Sequence, residues 1–148
     1  CMGMQVDHIC FAVKNLEDGI AYWNDVFGYT QKTAIVVNSR QLVRVVFLSL
    51  EGSILVKLIE PIQGNTSLLN FVKSGGGFHH LCYRCGDLKH TMAQLREKGL
   101  LTLQAPQPGE AFNNHDIAFL LARNGLRIEL IDTDEKAGIL DTKPNYLE

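Results

Sequence analysis

The chain has 148 residues, 46% hydrophobic and 20% charged, with a formal net charge of −2. That length allows one compact unit or two small modules sharing a core. The small net charge gives no electrostatic footprint for nucleic acid or an anionic membrane, and no apolar run approaches the roughly 20 residues of a bilayer span. With no charged-then-apolar leader pattern at the front, a cytoplasmic protein is expected. Four cysteines do not make a disulfide framework at this length. Cys82 and Cys85 form a C-x-x-C, but on a strand residues three apart face opposite ways and cannot clamp one metal.

In chain order, Val6 to Val13 reads as a strand of β-branched and aromatic residues. Asn15 is a good N-cap, and Glu17 and Asp18 follow in a first turn where the helix dipole favours acids. Leu16, Ile20, Trp23 and Phe27 recur at helical spacing until Gly28. Three strand-like stretches follow at 30–37, 41–50 and 53–60, and Pro61 and Gly64 close this half. A short helix over 67–73 and the run Gly75-Gly76-Gly77 lead into a second half.

That half repeats the order. It has a strand over 78–85, a helix striped by Leu88, Met92 and Leu95, and strands at 101–104, 116–122 and 126–132. Asn124-Gly125 is a strong hairpin turn. The segment 106–114 is rich in turn formers and is expected to be a loop bordering a cavity. From Thr133 the polar, aperiodic tail is expected to be draped or disordered.

The two halves coincide at an offset of 72 residues. His8-Ile9-Cys10-Phe11 falls on His80-Leu81-Cys82-Tyr83, Val46-Phe47-Leu48 on Ala118-Phe119-Leu120, and Val56 to Glu60 on Ile128 to Asp132. Repeated units pack about a local two-fold axis, which would bring His8 to His80 and Lys57 to Glu129. Two imidazoles and a carboxylate make a divalent-metal site; Lys57 in the fourth place makes it an unusual one. An ammonium has no lone pair to give and repels a dication. Lys57 either swings aside to leave a His8, His80, Glu129 facial triad, or deprotonates and ligates, or pairs with Glu129 where the metal would be. Cys10 and Cys82 read as small buried hydrophobes. Strand alternation points His79 opposite to His80, away from the cavity, and His90 lies on the surface of the second helix.

Each half is thus βαβββ, and the chain up to about Asp132 resembles the vicinal oxygen chelate superfamily of glyoxalases, extradiol dioxygenases and bleomycin-resistance proteins. Asp7-His8-Ile9 with Ala12-Val13, Val45-Val46-Phe47-Leu48, Gly77 to Leu81, and Arg127 to Leu130 are most similar to its methylmalonyl-CoA epimerase-like members. The resemblance implies an α+β fold: two tandem βαβββ modules, 5–61 and 78–132, forming a curved, mostly antiparallel sheet around a cavity. They make one domain over 1–132, followed by a tail at 133–148.

It further implies His8, His80 and Glu129 as metal ligands, with the Glu or Gln of the fourth position replaced by Lys57. The epimerase's catalytic glutamate falls at Arg40, which cannot accept a proton, so methylmalonyl-CoA epimerisation itself is not expected. Arg40, Arg44 and Lys57 suggest a rim for a carboxylate or phosphate, unless Arg40 and Arg44 are simply exposed strand residues. His115 is a further candidate for substrate contact.

The expected protein is an enzyme, a lyase or isomerase acting on an anionic or carbonyl-containing small molecule through Glu129 and Lys57. Its cofactor would be Zn, Ni, Co, Mn or Fe, or no metal at all because of Lys57. Two alternatives stand beside it: a non-haem Fe(II) dioxygenase using the His-His-Glu triad, and a metal-free binder of a drug or metabolite. A homodimer is expected, with no nucleic-acid or membrane partner.

Overall fold

The structure, a computed structural model, describes residues 3–140. Strand β1 (Gln5–Ala12) leads into helix α1 (Leu16–Phe27), short strands β2 (Thr30–Gln31) and β3 (Val36–Asn38), and the hairpin β4 (Val43–Ser49) with β5 (Leu55–Pro61). Helix α2 (Thr66–Lys73) crosses to β6 (Gly77–Arg84), α3 (Leu88–Glu97), β7 (Leu101–Gly109), β8 (His115–Leu121) and β9 (Arg127–Ile131). The strands form one open sheet in the order β2-β4-β5-β1-β6-β9-β8-β7, with β3 also on β4. The α+β architecture of two βαβββ halves is therefore as the sequence implies.

The local signals act as expected. Asn15 caps α1 by accepting from the Asp18 amide at 2.8 Å, and Gly28 closes it in the left-handed region at φ 78°. Asn124 and Gly125 both have positive φ, the requirement of the tight hairpin turn between β8 and β9.

The repeat is kept in the register as well as in the sequence. β1 pairs with β5 in parallel through Ile9–Val56 and Cys10–Lys57, and β6 pairs with β9 through Leu81–Ile128 and Cys82–Glu129, every residue displaced by the same offset. The two central strands, β1 and β6, join the halves antiparallel. On the outer face α1 buries Leu16 against Val46, Leu48, Val56 and Leu58, while α3 buries Leu88 against Ala118, Leu120, Ile128 and Leu130. On the inner face Val45, Phe47, Ile59, Ile117 and Ile131 form a shared core with Cys10, Cys82, α2 and Phe112. A sheet covered on both faces explains why β4, β5 and β9 read as near-continuous apolar runs.

Three expectations need correction. The strand at 30–37 is split into β2 and β3, because the intervening backbone turns to another partner: Ala34 donates to the Gly138 carbonyl, and Thr33 bridges Ile139. The segment 106–114 is not all loop, since β7 runs on to Gly109. Pro106 and Pro108 are tolerated there because β7 is the sheet edge, with one side unpaired. The tail is not loose as far as Leu140: Ala137 donates to Ala111 and Leu140 to Lys32, so 133–140 straps the first module to the second. Residues 141–148 lie outside the described part of the chain.

Candidate functional site

Two symmetric cross-strand rows carry the polar groups into the centre. One runs Phe47–Lys57–Cys10–His80 over β4, β5, β1 and β6; its mate runs Phe119–Glu129–Cys82–His8 over β8, β9, β6 and β1. Glu129 sits at the focus. The Nε2 atoms of His8 and His80 lie 2.9 and 3.0 Å from its Oε1, and Lys57 Nζ donates to both of its oxygens at 3.3 Å. All four side chains are buried. Phe112 stacks 6.2 Å from His8, and the Lys57 ammonium lies 5.3 Å from the same ring.

The bulges in the β1–β6 ladder decide the rest. Pairing slips by one residue between Val6 and His8 on one strand, and between His80 and Phe78 on the other. The extra residues are Asp7 and His79, themselves symmetry mates. A bulge lets consecutive residues escape strict alternation. Asp7 Oδ2 therefore reaches His8 Nδ1 at 2.7 Å, and His79 Nδ1 reaches His80 Nδ1 at 2.8 Å. Each central histidine is oriented by the residue before it, and His79 faces the cavity rather than away from it.

Asp7 is held in turn by Lys136, whose Nζ lies 3.1 and 3.2 Å from its two oxygens, and by Arg84 at 3.1 Å. Lys136 is buried, carried in by the strap.

The charges balance internally. Burial works against the Glu129 carboxylate, but Lys57, His80 and the histidine hydrogen bonds outweigh it and hold its pKa well below the usual range. Burial likewise opposes the Lys57 ammonium, and Glu129 overcomes it, so its pKa is raised. Asp7 is also lowered against burial, by its bond to His8 and by Lys136. Burial drives His80 down to about 3 and, helped by Arg127 and Lys57, His79 down to about 4, so both rings are neutral near pH 7. A neutral His80 that donates through Nε2 to the carboxylate must accept at Nδ1. The network thus makes His79 Nδ1 the donor and leaves His79 Nε2 as an acceptor.

His8, His80 and Glu129 bring donor atoms within 4.8 Å of one another, a spacing suited to one ion. Cys10 with His79 and His80, and its mate Cys82 with Asp7 and His8, are also close enough. Burial raises both thiols, which makes them inert as they stand. Lys57 is what does not fit. A dication about 4 Å from its ammonium would be repelled by about 8 kcal/mol at an effective dielectric near 20. Even structural zinc sites gain only about 10–16 kcal/mol. With Lys57 charged and in this place, the residues do not suit a divalent ion.

A cavity of about 360 Å³ opens beside this centre, lined by Lys57, His79, His80, Arg40, Arg127 and Phe119 among others. Among the described residues, no aspartate or glutamate lines it. Arg44 and His115 are not on its wall. Arg44 ties β4 to Glu17 of α1 and Glu60 of β5, and His115 pairs with Glu135 at 2.8 Å on the surface. Gln41 Oε1 and Gln104 Nε2, on residues that line the cavity, are buried without a hydrogen-bond partner among the described residues. Such atoms cost about 1–3 kcal/mol each while unpaired.

An open, curved sheet of two βαβββ halves with a buried His-His-Glu focus defines the glyoxalase-like class. The chain belongs to the Glyoxalase/Bleomycin resistance protein/Dioxygenase superfamily, whose family model matches residues 7–119. It is 27% identical over 101 residues to the mitochondrial methylmalonyl-CoA epimerase of Mus musculus and 25% identical to that of Homo sapiens. The matches cover 67% of this chain but only 56% of each of those proteins. The methylmalonyl-CoA epimerase of Mycobacterium tuberculosis superposes with a TM-score of 0.74 at 26% identity, over 86% of both chains. A Streptomyces coelicolor epimerase variant in complex with 2-nitronate-propionyl-CoA superposes at 0.75 and 24%, over 90% of this chain and 99% of that one, which shows likeness of fold.

The sequence reading proposes none of Asp7, Arg127, Lys136 and the two glutamines for the site, and it points His79 away from the cavity that His79 lines. The one signal available was that Asp7-His8 and His79-His80 are doublets at the repeat offset. Among the described residues, no helix is long and apolar enough to cross a membrane.

Proposed function

We propose that this chain is an isomerase or lyase for a small acidic metabolite bearing a carbonyl group. In it, Lys57 takes the part that a divalent ion plays in metal-using members of the superfamily. The observation that carries the reading is the buried Lys57 ammonium, 3.3 Å from both oxygens of Glu129 and on the cavity wall. A fixed ammonium in a dry site stabilises a developing enolate or oxyanion by charge and hydrogen bonding, and needs no reorganisation to do so. Glu129, held ionised, is a poor proton acceptor; its role is to keep Lys57 charged and aimed, and the α-proton released as the enolate forms goes to Nε2 of the neutral His79 on the cavity wall. Arg40 and Arg127 supply the charge that draws in an acid.

The curated relatives are methylmalonyl-CoA epimerases, and this reading departs from their activity. Arg40 lines the cavity where the epimerase resemblance calls for a catalytic carboxylate, and Lys57 stands where it calls for a ligand. A second reading, a metal-free carrier of the same class of ligand, is favoured by the closed charge balance of Lys57, Lys136, Glu129 and Asp7. The Fe(II) dioxygenase reading is disfavoured by the repulsion from Lys57. We further propose a cytoplasmic homodimer; size-exclusion with light scattering tests the dimer, and fractionation of cells tests the compartment.

The deciding experiment measures metal content after purification without chelator or affinity-tag metal, beside Lys57→Glu. It also follows deuterium exchange at the α-carbon of small oxo acids by NMR. The expected result is metal-free wild type that catalyses exchange, with Lys57→Glu binding a divalent ion. One equivalent of metal in wild type overturns the reading; no exchange on any acid that binds favours the carrier.

A further inference from the structure

The two unpartnered glutamine atoms are not strays, because the backbone is irregular on both sides of the cavity just where they sit. Gln41 is followed by Leu42, which holds a left-handed φ of 57°, a conformation that a leucine adopts only when its surroundings enforce it. Asn65 enforces it here: its Nδ2 donates to the carbonyls of both Gln41 and Leu42 at 3.1 Å. On the far side, Gln104 lies between two register shifts in the β7–β8 ladder, paired with Phe119, and Phe119 is paired with Glu129. Bulges of this kind re-aim a side chain beside a functional site. Each glutamine is thus presented by a special piece of backbone, and each keeps one end of its amide free.

The cationic side of the cavity is equally defined. Arg127 is two residues from Glu129 on β9 and so shares its face, and it stands near enough to His79 to hold down that ring's proton affinity. Among the described residues, neither Arg127 nor Arg40 has a carboxylate within salt-bridge distance. Lys57, by contrast, is already paired with Glu129. Arg127 therefore offers the cavity a cation with no carboxylate in salt-bridge distance among the described residues, while the charge of Arg40 is felt by Glu110; the walls add an amide acceptor and an amide donor without partners among the same residues.

We propose that the cavity recognises a compact acid that also carries an amide group, such as an N-acylated amino acid, with its anion on Arg127 and its amide N–H and C=O on Gln41 and Gln104. The inference rests on the acidic-ligand reading above and narrows it. An amide has one donor and one acceptor in a fixed plane, which is what two open carboxamide ends complement. A plain oxo acid would leave one of them unpaired. A cavity of about 360 Å³ is at the small end of ligand pockets, which suits such a molecule.

The test is calorimetric titration of the full chain with matched probes. N-acetylglycine and 4-oxopentanoate have the same shape and charge and differ in N–H against CH₂. N-acetylglycinamide lacks the anion, and acetamidomethylphosphonate replaces carboxylate by phosphonate. Wild type should bind N-acetylglycine about tenfold more tightly than 4-oxopentanoate, the discrimination one satisfied buried hydrogen bond supplies. Gln41→Leu should reduce that preference to about twofold or less while still binding both acids, whereas Gln104→Leu, which removes the donor to the carbonyl that both probes share, should weaken both alike and keep the preference. Arg127→Met should weaken both acids alike, and circular dichroism checks that each variant is folded.

Equal affinity for the two acids in wild type, both still dependent on Arg127, overturns the amide recognition and leaves the acidic-ligand reading standing. Binding of N-acetylglycinamide as tight as N-acetylglycine, or of no acid at all, overturns the acidic-ligand reading and this inference with it. Tighter binding of the phosphonate than of N-acetylglycine supports the inference and assigns the anion as a phosphate-like group.

Discussion

Replacing Lys57 by methionine keeps most of the side-chain volume and removes the charge that compensates Glu129. The ammonium lies 3.3 Å from each carboxylate oxygen, with both side chains out of water. At that separation and an effective dielectric near 20, the attraction is about 5 kcal/mol. Measured losses on breaking one partner of a buried pair are about 3–5 kcal/mol, the same range. Lys57→Met should therefore lose about 3–5 kcal/mol in urea unfolding at pH 7, read from the shift in midpoint at constant slope. Glu129→Leu in the same background should restore much of that, because the stranded charge is then gone.

The single variant should also acquire an affinity for zinc that wild type lacks, seen as a zinc-dependent rise in melting temperature, since His8, His80 and Glu129 remain and the repulsion does not. A loss below about 1 kcal/mol, or additive effects of the two substitutions, would refute the claim that Lys57 and Glu129 are a coupled buried pair.

Acid should destabilise the protein steeply. His80 has a folded pKa of about 3, below its ordinary 6.5, so the unfolded chain binds more protons between those values and stability falls as pH drops through that window. Lowered Glu129 and Asp7 act in the same direction below about pH 4–5, so the melting temperature should fall continuously from about pH 6 downwards; a flat profile to pH 4 would contradict the buried neutral ring. Lys136→Met should cost less than Lys57→Met, about 1–3 kcal/mol in the same unfolding assay, because Arg84 still bonds Asp7 at 3.1 Å. Gly76→Ala should cost about 2 kcal/mol or more, since the new Cβ would stand 2.5 Å from the Ala12 carbonyl oxygen at a φ of 66°; Gly52→Ala, with equally positive φ and open space, should lose only about 1–2 kcal/mol.

The repeat can be read from the residues alone. The periodicity of Leu16 to Phe27 and of Leu88 to Leu95, the caps, and the constant offset between halves follow from local propensity and from symmetry. Together they fix the architecture, the outer helix packing and the meeting of His8 with His80 and of Lys57 with Glu129. These are legible because each depends on residues near one another in sequence, or on a relation that the sequence states twice.

Tertiary structure alone decided how the centre is held and what surrounds it. Strand alternation assigned His79 to the wrong side, because a bulge is a mismatch between two strands and neither strand's own sequence records it. Arg44 and His115 look like cavity residues by position, but each finds an acid on a distant element and is spent on the surface. Lys136 sits in a stretch with no periodicity, and only the backbone bonds from Ala34 and Ala137 bring it under the sheet to Asp7. A buried charge is stabilised by partners gathered from across the fold, so the groups that hold Glu129 and Asp7 become visible only once the chain has closed around them.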